Sequence, residues 1–398
     1  MTWWRTRSLL ANFVSDTLHG ELTRLRPGQT LPPRPWSETL EVGEAGLGAD
    51  SLERLSLASA LGQALRLDRS GLEDHLLARS SIGSWVDLAE ICLERYDWSL
   101  VFLTSGSAGH PKACEHSLAS LCQEVAFLAE LFQGRERVVS AVSCRHIYGF
   151  LFTVLLPELL GIPVWRRLDK TMITLGADLR PGDLVVGFPD FWGLGSRSVE
   201  RFPPDVVAVS STAPLSLDLD RILADRGLLH LVEIYGASET AGIGWRAAPS
   251  SEFTLFPFWT RGREDEILLR QSPNGETVEF IAQDRLDWRS DRRFRPVGRL
   301  DEAFQVGGVN VHPHRVANVL LSHPEVAEAS VRLMRPEEGG RVKAFIVPRR
   351  VSSDEGALAA ELDRWAAKHL SAPERPKAYR FAGALPRDAL GKLVDWQL

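Results

Sequence analysis

The sequence predicts an α/β fold in two parts: a large N-terminal domain of β-sheets flanked by helices over residues 1–299, and a small α+β domain over 300–398. Three observations carry this. At 398 residues the chain exceeds what one ordinary core serves. From about residue 98 to 236, strand-like runs alternate with stretches of helical periodicity, the pattern of a sheet with helices on its faces. Beyond about residue 255 the texture changes to hairpin-like segments, and the tail carries a strand and helix pattern of its own.

The first 100 or so residues read as helices and loops. MTWWRTRSLLANFVSDTLHG is amphipathic, and polar residues interrupt its short apolar run before any small-residue cleavage site. It reads as a first helix and not a signal peptide. PGQTLPPRPW (27–36) is a proline-rich loop, and LERLSLASALGQALRL (52–67) has helical spacing. WSLVFLTS (98–105) reads as a strand running into a glycine loop, and HSLASLCQEVAFLAELF (116–132) as a helix beyond it. RVVSAVS (137–143), DLVVGFP (183–189), DVVAVSS (205–211) and LLHLVEIYG (228–236) are strands; SLDLDRILADRG (216–227) is a helix capped by Gly227. EILLRQSPNGETVEFIAQ (266–283) is a hairpin around Pro-Asn-Gly. RVKAFIVP (341–348) and a helix around ALAAELDRWAAKHL (357–370) build the tail, with a domain boundary near Gly298–Asp301.

Composition narrows the function. Hydrophobic residues are 44%, charged residues 25% and the net charge −6, so neither nucleic acid nor a membrane surface is indicated as a partner. No run of about 18 uninterrupted apolar residues exists; FLFTVLLPELLGIPV (150–164) comes nearest and is broken by Pro157 and Glu158. Cys92, Cys114, Cys122 and Cys144 form no C-x-x-C pair, which fits thiols in a reducing cytoplasm.

Of 46 basic residues only six are lysine, and one of them, Lys112, ends the segment LTSGSAGHPK. Backbone N–H groups in such a turn can converge on an anion, hydroxyls add donors and lysine adds charge. The segment therefore reads as a polyphosphate loop, although its glycines are not spaced as in a Walker motif; taken alone it is also an exposed turn between strand and helix. EIYGASETAG (233–242) ends a strand in Tyr-Gly and then presents Ser238, Glu239 and Thr240, a set suited to Mg²⁺ on a nucleotide phosphate. SSTAPLS (210–216) closes another strand with small residues that leave room for a flat ring. VGRLDEAFQVGGVNVHP carries Gly-Arg-x-Asp and two glycines, and LPRDALGKL (385–393) puts Lys392 on a turn near the end.

These five segments, in this order from about residue 100 to the end, resemble the adenylate-forming superfamily of acyl-CoA synthetases, firefly luciferase and peptide-synthetase adenylation domains. The resemblance implies that a carboxylate attacks the α-phosphate of MgATP to give an acyl-adenylate. A small mobile C-terminal domain, a rotating lid, then turns so that a thiol can take the acyl group. By resemblance Thr104, Ser105, Gly106, Ser107, Gly109 and Lys112 hold the β- and γ-phosphates, and Glu239 holds Mg²⁺ with Ser238 on the α-phosphate. Ser211, Thr212 and Ala213, with Tyr235 and Gly236, surround adenine. Lys392 bridges carboxylate and α-phosphate. Asp284 fits the ribose contact although Ala282 and Gln283 replace the family's Thr and Gly, with Asp291 as the fallback; Arg299 also touches ribose, and Asp301 matches the hinge. Gln305 stands where many members carry lysine, and the region before the phosphate loop is shorter than usual, so the resemblance implies that part of the N-terminal subdomain is reduced or missing.

His146 and Gly149 match a His-x-x-Gly segment that lines the family's carboxylate pocket, and Phe188, Phe191 and Trp192 suit either a flat apolar ligand or ordinary core. The short N-terminus, QVGGVNVHPHRVANVL and the C-terminal tail resemble compact 4-coumarate–CoA ligase-like proteins linked with the cinnamoyl chromophore of photoactive yellow protein. That implies a hydroxycinnamate as substrate and coenzyme A as acceptor, with Gly308 beside the pantetheine tunnel. A free-standing enzyme loading an aryl or fatty acid onto an acyl carrier protein is the alternative. Retention of Lys112, Glu239 and Lys392 argues against a degenerate nucleotide sensor.

Overall fold

The computed structural model describes residues 1–26, 28–104, 112–168, 176–215, 217–300, 303–350, 355–386 and 394–397. They fall into two compact units. The first comprises Met1–Thr104, Lys112–Ala282 and Leu286–Pro296; the second comprises Gln283–Arg285 and the described part of Val297–Leu398.

The first unit opens with three helices, Arg7–Leu25, Ser51–Leu65 and Ile82–Arg95. Asp50 and Glu53 form a capping box at the start of the second. Leu10, Phe13, Leu57, Leu61 and Trp85 from these helices are fully buried in one core. Strand β1 (Ser99–Thr104) then pairs antiparallel with β2 (Lys112–Ser117), placing Thr104 opposite Lys112. The glycine segment thus connects two strands, not a strand and a helix. The helix expected from residue 116 begins instead at Leu118, where the Ser117 hydroxyl accepts the Ser120 N–H at 3.1 Å, and runs to Leu131. In β2, Cys114 and His116 point inward, so a period-2 pattern is present; its inward histidine hides it from a hydrophobicity reading.

The central sheet uses β3 (Arg137–Ser140), β4 (Val164–Arg166), β5 (Asp183–Gly187), β6 (Val207–Ser210), β7 (His230–Ala237), β8 (Ala241–Ala247), β9 (Phe253–Leu255), β13 (Asp284–Ser290) and β14 (Arg293–Arg299). Their order is β13-β14-β9-β8-β7-β6-β5-β3-β4. From β4 to β7 neighbours are parallel; β7 to β8, β8 to β9 and β9 to β14 are antiparallel. β5 and β6 are buried along their whole length, as parallel strands covered on both faces must be. A further sheet, β10 (Trp259–Arg261), β11 (Ile267–Gln271) and β12 (Thr277–Ile281), contains the expected Pro-Asn-Gly hairpin, with Gly275 at φ +86°.

The second unit has a two-stranded hairpin, β15 (Phe304–Val306) with β16 (Val309–Val311), and a sheet of β17 (Val326–Leu333), β18 (Val342–Pro348) and β19 (Ala378–Phe381). Helices Pro313–Leu321 and Glu355–His369 pack on it through Val316, Leu320, Leu358 and Leu362. Among the described residues no helix is long and apolar enough to cross a membrane.

Candidate active site

In the first unit the parallel strands β3, β5, β6 and β7 all present their carboxyl ends along one edge of the sheet. The chain goes from β3 to β4 on one side and to β5 on the other, so the order reverses at β3. The crevice at such a reversal, outside the carboxyl ends, is where open α/β sheets bind ligands. Four segments singled out in the sequence follow directly from these ends: Cys144–Gly149 after β3, Phe188 after β5, Ser211–Ala213 after β6, and the turn after Tyr235 in β7.

The turn after β7 meets the hairpin β1–β2. Lys112 Nζ lies 3.2 Å from Glu239 Oε1, which joins residues 127 positions apart. Lys112 is largely exposed and Glu239 partly so, leaving both head groups accessible. Behind them the buried His116 places Nε2 at 2.6 Å from Ser238 O. Burial lowers the His116 pKa, against the pull of the Ser238 carbonyl; a neutral imidazole with its proton on Nε2 donates that bond. Sequence reasoning missed His116, whose only signal is its place at a buried position of β2. Gly236 sits at a register shift where a Cβ would lie 2.1 Å from Ala241 O, so only glycine allows the two backbones to close there.

After β6, the Ser211 hydroxyl donates to Ile234 O at 2.9 Å and so ties the segment to β7. Thr212 is exposed and has φ +82°, a conformation that a β-branched residue rarely adopts. Tyr235 is half-buried, its ring against Phe253 and Phe294 at 5.6 and 5.3 Å between centroids. Phe191 and Trp192 are buried in a core cluster and resolve as packing, whereas Phe188 is only partly covered.

After β3, His146 precedes a helix that runs through Ile147–Phe150, a π-helical stretch Leu151–Leu155, and Leu156–Leu160. His146 keeps an accessible face but is surrounded by protein; lost hydration, then the neighbouring Arg145 charge, hold its imidazole down to about 3. It is therefore neutral at pH 7. Gly149 is fixed by sterics, since a Cβ there would lie 2.0 Å from Ser143 O. The whole turn hangs on Asp16 of the first helix, which sequence reasoning also missed. Asp16 is fully buried and accepts from Ser143 Oγ and Cys144 N, both at 2.8 Å, while pairing with Arg34 at 2.8 Å and with Arg166. Burial alone would raise its pKa, but Arg166 and then Arg34 hold it below the usual carboxylate range. Tyr148 places its hydroxyl 3.0 Å from Gly187 O and 3.2 Å from Val209 O, bracing the helix against β5 and β6.

In the second unit, Arg299 Nη2 donates to Gln283 Oε1 at 3.0 Å and Leu300 N to Gln283 O at 2.9 Å, so Arg299 lies against the segment that bears Asp284. Gly307 and Gly308, at φ +59° and +75°, form the two-residue turn between β15 and β16, which needs positive φ at both positions. Near the C-terminus Val394 N donates to Pro386 O at 3.0 Å, and Trp396 packs with Phe345, Val347 and Leu385. The fully buried Lys343 reaches Glu338 at 2.9 Å, Asp395 at 3.1 Å and Trp396 O at 2.7 Å. Ser105, Gly106, Ser107, Gly109, Asp301 and Lys392 lie outside the described residues, as does the side chain of Thr104.

The AMP-binding enzyme family model matches residues 50–255, and the model for the AMP-binding enzyme C-terminal domain matches 315–392. The chain is 42% identical over 347 residues to a 4-coumarate–CoA ligase of Halorhodospira halophila, covering 87% of each chain. It is 39% identical over 402 residues to a 4-coumarate–CoA ligase of Rhodobacter capsulatus, covering 98% of this chain and all of the other. Among solved structures, the amide bond synthetase McbA from Marinactinospora thermotolerans superposes with a TM-score of 0.62 at 17% identity, over 96% of this chain and 92% of that one. A malonyl-CoA ligase, captured as a ternary product complex with methylmalonyl-CoA and AMP, gives 0.58 at 22% identity, over 72% and 71%. At such identities the structural likeness establishes the fold. With both domain models matched and relatives of this similarity spanning most of its length, the chain belongs to the AMP-binding enzyme family and is a ligase of the adenylate-forming kind.

Proposed function

We propose that this ligase activates 4-coumarate, or a closely related hydroxycinnamate, as its adenylate and transfers the acyl group to coenzyme A. The relatives of 42% and 39% identity, each named a 4-coumarate–CoA ligase, support the acid and the acceptor. The observation that carries the site assignment is the Lys112–Glu239 contact at 3.2 Å, which unites the phosphate-loop lysine with the proposed metal-holding carboxylate.

In this reading Thr104, Ser105, Gly106, Ser107, Gly109 and Lys112 hold the β- and γ-phosphates of ATP, and Ser238 contacts the α-phosphate. Ser211, Thr212, Ala213, Tyr235 and Gly236 surround adenine, and Asp284 and Arg299 hold ribose. Among the described residues no cluster of three or more His, Cys, Asp or Glu is placed to bind a metal by itself. A single accessible carboxylate at Glu239 fits Mg²⁺, which keeps several waters and binds through one or two carboxylates plus substrate phosphates. When bound, Mg²⁺ neutralises phosphate charge. Neutral His146 lines the acid's entry without adding a competing charge. The acid's carboxylate oxygen attacks the α-phosphorus and pyrophosphate leaves; Lys392 stabilises the charge spread across the two groups, a positioning and electrostatic role. The coenzyme A thiol then attacks the acyl carbon past Gly308, and AMP leaves. Residues 300–398 act as a lid that turns about Asp301 between these steps.

Carboxylate-dependent ATP–pyrophosphate exchange with hydroxycinnamates, benzoates and short and long fatty acids tests the reading, followed by thioester formation with coenzyme A. Exchange with 4-coumarate and accumulation of its coenzyme A thioester are expected. Exchange with a different acid alone rejects the hydroxycinnamate. An adenylate that coenzyme A does not consume rejects the acceptor.

A further inference from the structure

Beneath the Ser238–Glu239–Thr240 turn lie two titratable side chains to which the reaction gives no direct task. Glu124, on the helix Leu118–Leu131, is fully buried, and Arg270, on β11, is 3% exposed. A pair of apolar residues would fill this space at lower desolvation cost. Burial pushes the Glu124 carboxyl up to about 8, against the pull of Arg270 and the Gly242 N–H, and both side chains are used on the backbone instead. Gly242 N donates to Glu124 Oε1 and Oε2 at 3.0 and 3.1 Å. Arg270 Nη1 donates to Thr240 O at 3.1 Å and Nη2 to Ser120 O at 2.8 Å. Trp259 Nε1 donates to Gly242 O at 2.8 Å.

The two grips fall on either side of Ala241, whose φ is +59°. That left-handed conformation is unfavourable for a residue with a Cβ and persists only where the surroundings over-determine it. Gly242 completes the fit, since a Cβ there would lie 2.4 Å from both Glu124 Oε1 and the Phe256 ring. A strained alanine two residues from Glu239, clamped by an acid on its carboxyl side and a cation on its amino side, is a device for holding one backbone shape. We propose that Glu124 and Arg270 are positioning residues that fix this turn so that Glu239 meets the nucleotide-bound metal already aligned. The proposal rests on the reading of Glu239 as the metal-holding carboxylate.

The test compares Glu124→Met, Glu124→Gln and Arg270→Lys with the wild-type chain, by hydrogen exchange of the ligand-free protein and by the Mg²⁺ requirement of ATP–pyrophosphate exchange. In Glu124→Met the amides of residues 240–242 should exchange about tenfold faster or more. The Mg²⁺ concentration for half-maximal activity should rise about tenfold while KM for the acid stays within about twofold. Glu124→Gln keeps an acceptor for Gly242 N and should recover most of both. Unchanged exchange at the turn, or a rise in Mg²⁺ requirement and acid KM together without turn-specific loosening, overturns the positioning role. Arg270→Lys keeps a cation but cannot donate to both carbonyls through one planar fork, so it carries the test if Glu124→Met does not fold; it should loosen the same amides, and failure to do so counts against the proposal. Glu239→Gln is measured in parallel. If it leaves the Mg²⁺ requirement unchanged, the metal reading of Glu239 fails, while turn exchange in the other variants still decides whether Glu124 positions the turn.

Discussion

Asp16→Ala is the most informative single change outside the nucleotide-facing residues. Asp16 is a fully buried carboxylate on the first helix, bound by Arg34 at 2.8 Å, by Arg166, and by Ser143 Oγ and Cys144 N at 2.8 Å each. Its removal strands two guanidinium groups that are less than one-fifth exposed and orphans the buried Cys144 N–H. Breaking a buried ion pair by deleting one partner costs about 3–5 kcal/mol. For a unit this large each kcal/mol moves the midpoint by roughly 2 °C, so thermal unfolding should fall by roughly 6–10 °C. The turn that Asp16 suspends leads straight into His146, so KM for the acid should also rise, by about tenfold or more. The pH dependence has a fixed sign. The folded-state pKa of Asp16 is depressed, so its contribution is complete above the unfolded value of about 4 and is lost as pH falls through the folded value. Asp16→Asn should therefore trail the wild type at neutral pH, with the gap closing in acid. Differential scanning calorimetry across pH 3–7 reads both effects. An Asp16→Ala protein that unfolds within about 2 °C of wild type and keeps its acid KM would refute the view that this carboxylate anchors the pocket turn.

Lys112→Ala should leave unfolding within about 1 kcal/mol, because its pair with Glu239 is exposed, yet reduce ATP–pyrophosphate exchange about a hundredfold; denaturant titration beside the exchange assay separates the two. Lys392→Ala should lose adenylate formation by about 10²–10³-fold and still convert preformed acyl-adenylate to thioester, so full ATP-dependent activity in that variant would remove its assigned role. Gly149→Ala drives a Cβ to 2.0 Å from Ser143 O and should destabilise by about 1–3 kcal/mol or more, with loss of acid-dependent exchange. Gly193→Ala is its control: a Cβ there meets open space within a helix, so unfolding should be unchanged or improved by up to about 1 kcal/mol.

The parallel strands were legible because burial on both faces compels an apolar run: DLVVG in β5 and VAVS in β6 admit no other economical placement. The hairpin β11–β12 was legible through its Pro-Asn-Gly turn. β2, β8 and β14 were not. KACEHS carries a lysine, a glutamate and an inward histidine; AGIGWRA carries two glycines; RFRPVGR carries three arginines and a proline. Two of them depart from strand propensity for a local reason. His116 turns inward to reach Ser238 O, and Gly242 leaves room for Glu124. The first 100 residues read correctly as mainly helical, yet nothing in their spacing announced that Asp16 would reach across to residue 144.

The site divides along the same line, and the division has a physical cause. Groups that face a polyphosphate are restricted in type: glycine for approach, hydroxyls and backbone N–H for donors, lysine for charge, a carboxylate for the metal. Restricted type at fixed spacing leaves a signature in one dimension, so Lys112 and Glu239 could be singled out before the 3.2 Å between them was known. Groups that hold those residues in place each bond to protein backbone, and Asp16 to side chains as well. A carbonyl is satisfied by any nearby donor and an N–H by any acceptor, so His116, Asp16, Glu124 and Arg270 owe their roles to burial and reach rather than to type. In a sequence each looks like one more polar residue of a solvated face, and their backbone partners lie between 118 and 150 positions away, except for the Thr240 carbonyl that Arg270 reaches across 30. Such residues are also where a change of charge costs most, because the low dielectric that hides them strengthens each of their bonds. Two enzymes with the same phosphate loop can therefore differ in how firmly the turn bearing its carboxylate partner is held, and in this chain His116, Glu124 and Arg270 are the buried polar side chains that bond to that turn.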